Sequence, residues 1–132
     1  MHRKCLAAAL LLLVACGVDP SEDDRPRTLD YVSSAVLKPY CGNAQCHSSF
    51  RQEANRAYDT AKAVCETIVS QSDVIPGDPD GSFLHQVLVR TIDRMPYDQP
   101  MPDVDRALLR DWILIGAPGL PDPVSSTAED CK

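Results

Sequence analysis

Cys41-Gly42-Asn43-Ala44-Gln45-Cys46-His47 places two thiols and an imidazole within seven residues. Two cysteines on one turn can each form a thioether with a haem vinyl group, and a histidine directly after the second falls under the iron as its proximal ligand. The stretch therefore reads as a haem c attachment loop, with Cys41 and Cys46 as anchors and His47 as the proximal ligand. The usual signature has two residues between the cysteines, whereas four separate these. Such a loop must bulge to bring both sulfurs to one macrocycle, and Gly42 and Asn43 are residue types that tolerate a left-handed turn. Two other readings use the same residues. One is a plain disulfide with His47 as a solvated neighbour. The other is a zinc site completed by a remote fourth ligand, although structural zinc sites usually draw two ligands from each of two knuckles.

Working outward towards the N-terminus, Met1-His-Arg-Lys4 is basic, Leu6 to Val14 is apolar, and the charged segment after Cys16 cannot continue that run. This is the pattern of a secretory signal peptide over residues 1–15. The run falls well short of the roughly 20 apolar residues that cross a bilayer as a helix. Its end, Leu13-Val14-Ala15-Cys16, resembles the bacterial lipoprotein signal, in which the cysteine is lipidated and becomes the new N-terminus. Gly17, in the following position, leans towards the outer membrane. A simple cleavage site with Cys16 as a free thiol is the alternative, though an exposed lone thiol is a liability in an oxidising compartment. The expectation is a lipid-anchored protein of the bacterial cell envelope, facing the periplasm or the cell surface.

Export changes the cysteine arithmetic. Of the 6 cysteines, Cys5 leaves with the signal and Cys16 carries lipid, so Cys41, Cys46, Cys65 and Cys131 remain. If the first two hold haem, a Cys65–Cys131 bridge is the natural assignment for the others. Without haem the pairings stay open, and Cys65, on the apolar stripe of an expected helix, could be a buried thiol.

The whole chain has 132 residues and a formal charge of −6, and removal of Arg3 and Lys4 makes it two units more acidic. Nucleic acid is an improbable partner for such a surface. It fits better with steering association towards a basic face on another protein. Residues 16–27 should be a lipidated cysteine and a disordered spacer, residues 28–118 the folded domain, and residues 119–132 a polar tail.

Within the domain the apolar residues recur at helical spacing. Leu29, Val32 and Val36 predict a first helix capped by Thr28 and stopped by Pro39. Ala54 to Ile68 continue the period, with a helix favoured over about 60–71 and Asp59 as a candidate cap. The turn-rich stretch Asp73 to Gly81 predicts a loop, followed by a short Ser82-capped helix carrying Leu84, Val87 and Leu88. Three prolines between Arg94 and Pro102 exclude regular structure there. The last helix is expected to start at Asp103, to bury Val104, Leu108, Leu109, Trp112 and Ile113, and to stop at Gly116.

A covalent haem also needs a distal ligand, and the candidates are Met95, Met101 and His85. Each has an ordinary structural role open to it. Met95 is favoured because it opens the proline-stiffened loop, where a restrained backbone can hold a thioether in place. Met101 could instead pack against the haem edge or Trp112, and His85 would make a bis-histidine site.

The ordered set of Cys41-x4-Cys46-His47, Val74-x-Pro-Gly-Asp-Pro-Asp-Gly-Ser82, Arg94-Met95-Pro96 and Leu109-x-x-Trp112-Ile113-x-x-Gly116-Ala117 resembles the cytochrome c-like domains of the planctomycete type over about residues 28–118. The resemblance implies an all-α, small class I cytochrome c-like domain of about four helices around one covalent haem c. It also implies Met95 as the distal ligand. One-electron transfer to a redox partner protein in the envelope would follow, with no residue set for bond-making catalysis. The rival expectation is a haem-free, disulfide-stapled lipoprotein that uses the same helical frame for binding, with all four remaining cysteines paired. A weaker alternative is a peroxidase-like or ligand-sensing site if Met95 is displaced from the iron.

Overall fold

The computed structural model describes residues 23–122 and 127–132. The expected signal peptide, Cys5, the lipidation site Cys16 and the start of the spacer lie outside the described residues. Within them the fold is all-α, with four helices and no sheet, only two isolated bridges joining Ile75 to Asp78 and Pro118 to Leu120. Helix α1 covers 29–40, α2 Ala61–Gln71, α3 Phe83–Val89 and α4 Asp103–Leu114. No helix among the described residues is long and apolar enough to cross a membrane.

Helix α1 starts as expected, with the Thr28 hydroxyl accepting from the Tyr31 amide at 3.3 Å. It does not stop before Pro39. Its middle, Val32–Leu37, is wound as a π-helix, and the Lys38 amide donates to Ser33 O, five residues back. A proline ring collides with the carbonyl four residues back in an α-helix, and wider winding relieves that collision. The chain consequently reaches Tyr40 in helical form before it enters the cysteine loop.

Helix α2 matches the expected span, but its cap is Thr60, whose hydroxyl accepts from the Ala63 amide at 3.1 Å. Asp59 serves the preceding loop, taking hydrogen bonds from the Ser49 amide at 2.8 Å and hydroxyl at 2.7 Å. Beyond a distorted 3-10 turn at Glu53–Asn55, residues 54–58 form no α-helix, because Gln52, Ala54 and Asn55 all have positive φ and break the period. Ser82 precedes α3 without capping it. Its hydroxyl donates to Asp78 O at 2.7 Å and accepts from the Ile75 amide at 2.9 Å, closing the 73–81 loop.

Helix α4 carries the centre of the core. Leu108, Leu109, Trp112 and Ile113 are fully buried and meet Val32 and Val36 of α1. Each such aliphatic side chain contributes about 1.5–3 kcal/mol by leaving water. Val104, expected on this face, is instead exposed, and the N-cap position belongs to Pro102, with Asp103 in the first turn. Gly116 ends the helix at φ 100°, after which Trp112 Nε1 donates to Pro118 O at 3.1 Å.

Both flanks are tied down. Residues 23–27, expected in the disordered spacer, dock on α4 through Arg25 to Asp105 at 2.6 Å and Arg27 to Asp111 at 3.4 Å. Asp105 also accepts from the Tyr40 hydroxyl at 2.8 Å, so one carboxylate joins the segment, α1 and α4. The Arg25 guanidinium bonded to Asp23 holds that carboxyl down at about 2. At the other end the Cys65–Cys131 disulfide, with Cα atoms 5.8 Å apart and a sequence separation of 66, fastens the tail to α2. Lys62 Nζ adds a hydrogen bond to Cys131 O at 3.1 Å.

A cross-link closing a loop of that length restricts the unfolded chain strongly. Replacing both cysteines by alanine should lower unfolding free energy by about 2–4 kcal/mol. Urea denaturation of the double variant beside the parent checks this, and an unchanged midpoint would show that the tail adds nothing to stability.

Candidate functional site

The loop from Cys41 to Thr60 folds back on itself through backbone hydrogen bonds. The His47 amide donates to Cys41 O at 3.1 Å, the Tyr58 amide to His47 O at 2.6 Å, and the Glu53 amide to Cys46 O at 3.2 Å. Neither Gly42 nor Asn43 adopts positive φ, so the expected left-handed bulge does not occur there. Gly42 is needed for another reason. A Cβ on it would stand 2.6 Å from Tyr58 O and 2.8 Å from Asp59 Cα, so only glycine lets the two arms of the loop lie together.

Beneath this loop sits a buried polar cluster. Asp73 is 1% exposed and accepts from Arg56 Nε and Nη2, both at 2.7 Å, and from the Tyr58 hydroxyl at 2.9 Å. Arg56 is held in its charged form by Asp73, and burial together with Asp73 pushes the Tyr58 phenol up. The Arg56 guanidinium also lies over the Phe83 ring, 4.9 Å from its centroid. Thr67 of α2 completes the seam, accepting from the Ala57 amide and donating to Ala57 O, each at 3.0 Å. Sequence reading passed over Arg56, Tyr58 and Asp73 as site residues. They share no short motif, and the signal available was an aspartate at the mouth of a turn with an arginine and a tyrosine upstream.

Between the loop and α3 lies a small cavity of about 90 Å³, walled by Cys41, His47, Tyr58, Leu84, Val87 and Met95. Three of the predicted haem residues, Cys41, His47 and Met95, are thus brought to one space. Cys46 is not part of its wall. Met95 is placed by its amide, which donates to Val87 O at 2.8 Å. The His47 ring stands edge-on to Tyr58 with centroids 5.5 Å apart, and its Nδ1 lies 2.9 Å from Glu53 O. Met101 is elsewhere, a fully buried core residue. His85 is also elsewhere, buried beside Asp80 with Nδ1 3.9 Å from Oδ1. Burial lowers the His85 pKa, only partly offset by Asp80 and reinforced by Arg110 and Arg106.

These findings correct the haem c, iron and electron-transfer expectations for Cys41, Cys46, His47 and Met95. Among the described residues no group of three or more His, Cys, Asp or Glu side chains could hold a metal ion, which also removes the zinc reading. Attachment through two thioethers needs both sulfurs at one macrocycle edge, and Cys46 lies off the cavity that Cys41 faces. The space is also small, since cofactor pockets run to about 300–1,000 Å³. The residues present do not fit a covalent tetrapyrrole. Cys41 and Cys46 are both free thiols, so the expectation that all four cysteines pair is corrected as well. Burial, with a smaller contribution from Cys46, pushes the Cys41 thiol up to about 12.

Comparison of the chain with protein families, with curated proteins and with solved structures finds no match.

Two outcomes follow from the geometry. Asp73→Asn should destabilise the fold by about 3–5 kcal/mol, because it leaves Arg56 and the Tyr58 hydroxyl without their charged acceptor; urea unfolding measures it, and a loss under 1 kcal/mol would show the cluster to be dispensable. Alkylation with iodoacetamide at pH 8 should label the half-exposed Cys46 and spare Cys41 until denaturant is added, as read by peptide mass spectrometry.

Proposed function

We propose that this chain is a disulfide-stapled binding module of the bacterial cell envelope, anchored to a membrane through lipid on Cys16, with the cavity under the 41–60 loop as its binding element. The observation that carries the reading is the pairing of a stapled helical body with one small apolar cavity roofed by an internally hydrogen-bonded loop. A disulfide linking α2 to the tail fits an oxidising compartment, in keeping with an exported protein. Mostly apolar concave spaces with a few convergent polar groups are the usual form of a ligand site, and this one, well under the usual volume, has room only for a small group. In this one, His47, Arg56, Tyr58 and Arg90 are the residues that carry polar groups, and Leu84, Val87 and Met95 are among the apolar ones. The acidic surface keeps such a module soluble and biases it towards basic partners.

The test is to express the full chain in a host with cytochrome c maturation and take the visible spectrum and pyridine haemochrome, with thiol counting on the same sample. A colourless protein with one disulfide and free thiols at Cys41 and Cys46 is expected. A covalent haemochrome that disappears in Cys41→Ala/Cys46→Ala would overturn the reading.

A further inference from the structure

Three large apolar side chains stand out into solvent where α4 ends and the turn after α2 meets it. Ile75 is 48% exposed, Leu114 49% and Ile115 60%. The Gly77 amide donates to Ile113 O at 2.8 Å, which holds that turn against the end of the helix. The same turn borders a hollow of about 220 Å³, walled by Ile68 and Val69 of α2, Val74 and Ile75 of the turn, and Leu120 and Pro121 beyond α4. It shares no wall residue with the cavity under the cysteine loop. In a chain where 24% of residues are charged, no charged residue lines it. Exposed apolar surface gathered beside a hollow marks a contact face.

Charge decides what covers that face. An anionic membrane surface is met by basic side chains, and a basic protein is steered by carboxylates; the hollow offers neither. Two copies of a chain with formal charge −6 repel each other, and they do so least where both faces are free of charge. The face is also its own complement. A dry cavity of about 150 Å³ is enough for benzene, so the hollow has room for a branched aliphatic side chain such as the one that Ile115 projects beside it. A two-fold axis lets each copy give one such side chain and take one. We propose that this face pairs two copies of the chain, with Ile115 of each seated in the hollow of the other.

The experiment places the photo-crosslinker p-benzoylphenylalanine in place of Ile115 in the full chain, irradiates the expressing bacterial cells and maps the adducts by peptide mass spectrometry. A chain-to-chain adduct on the 68–76 segment or on Leu120–Pro121 is expected. The same group in place of Ile92, 76% exposed but outside this face, should give none. Sedimentation equilibrium of the purified full chain, in a detergent matched to the buffer in density, then gives the dissociation constant of the pair. Ile115→Asp, an exposed change that leaves the core intact, should raise that constant by about tenfold or more, as loss of one buried aliphatic side chain does, and Ile92→Asp should leave it unchanged. The proposal is overturned if position 115 yields no adduct, if its adducts are to another protein or to lipid, if they map away from the hollow, or if position 92 crosslinks two chains equally well. It is overturned also if Ile115→Asp associates as the parent does.

Discussion

A single carboxylate, Asp73, holds the upper half of the molecule in register. It lies where α2 has ended and the turn towards α3 begins, and its backbone joins both, its amide donating to Ile68 O at 3.3 Å and its carbonyl accepting from the Leu84 amide at 2.9 Å. Its side chain meanwhile reaches across to Arg56 and Tyr58 at the end of the cysteine loop. An ion pair buried this deeply gives little net stability compared with apolar packing, but it is costly to break. The three segments must therefore meet in one arrangement or leave a charge stranded, and the cavity is the gap which that arrangement leaves.

The apolar periodicity of the chain was a good guide wherever burial alone decides structure. Leu108, Leu109, Trp112 and Ile113 share a face at helical spacing, and Thr28 caps as its position suggests, whereas Thr60 takes the cap expected of Asp59. It failed where a long-range contact outweighs local preference. Ala54, Ala57 and Tyr58 have helical spacing yet sit in an irregular strap, because Tyr58 is drawn to Asp73 and the Ala57 peptide to Thr67. Pro39 has the chemistry of a stop but is absorbed by a change of helical winding.

The cysteine stretch misled for a related reason. Spacing along the chain says that two sulfurs are near one another, but not that both face the same space. Burial of Cys41 against Tyr58, with Gly42 pressed onto the opposite arm, turns one thiol inward and leaves Cys46 outside the cavity wall. Met95 and His47, expected as the two axial ligands of an iron, instead share with Cys41 the wall of a small cavity. What they surround was legible only from the volume between them.

The docking of residues 23–27 on α4 takes up a length of chain that would otherwise extend from the helical body. Five residues span at most roughly 17 Å when extended. While Arg25 and Arg27 grip Asp105 and Asp111, that length is folded against the body and contributes nothing to its reach. Of the two pairs, Arg25–Asp105 is shorter and more buried and so is screened less by salt than Arg27–Asp111, whose carboxylate is about half exposed. The segment is in effect a stored length of line, and a few ion pairs decide whether it lies against the body or is released.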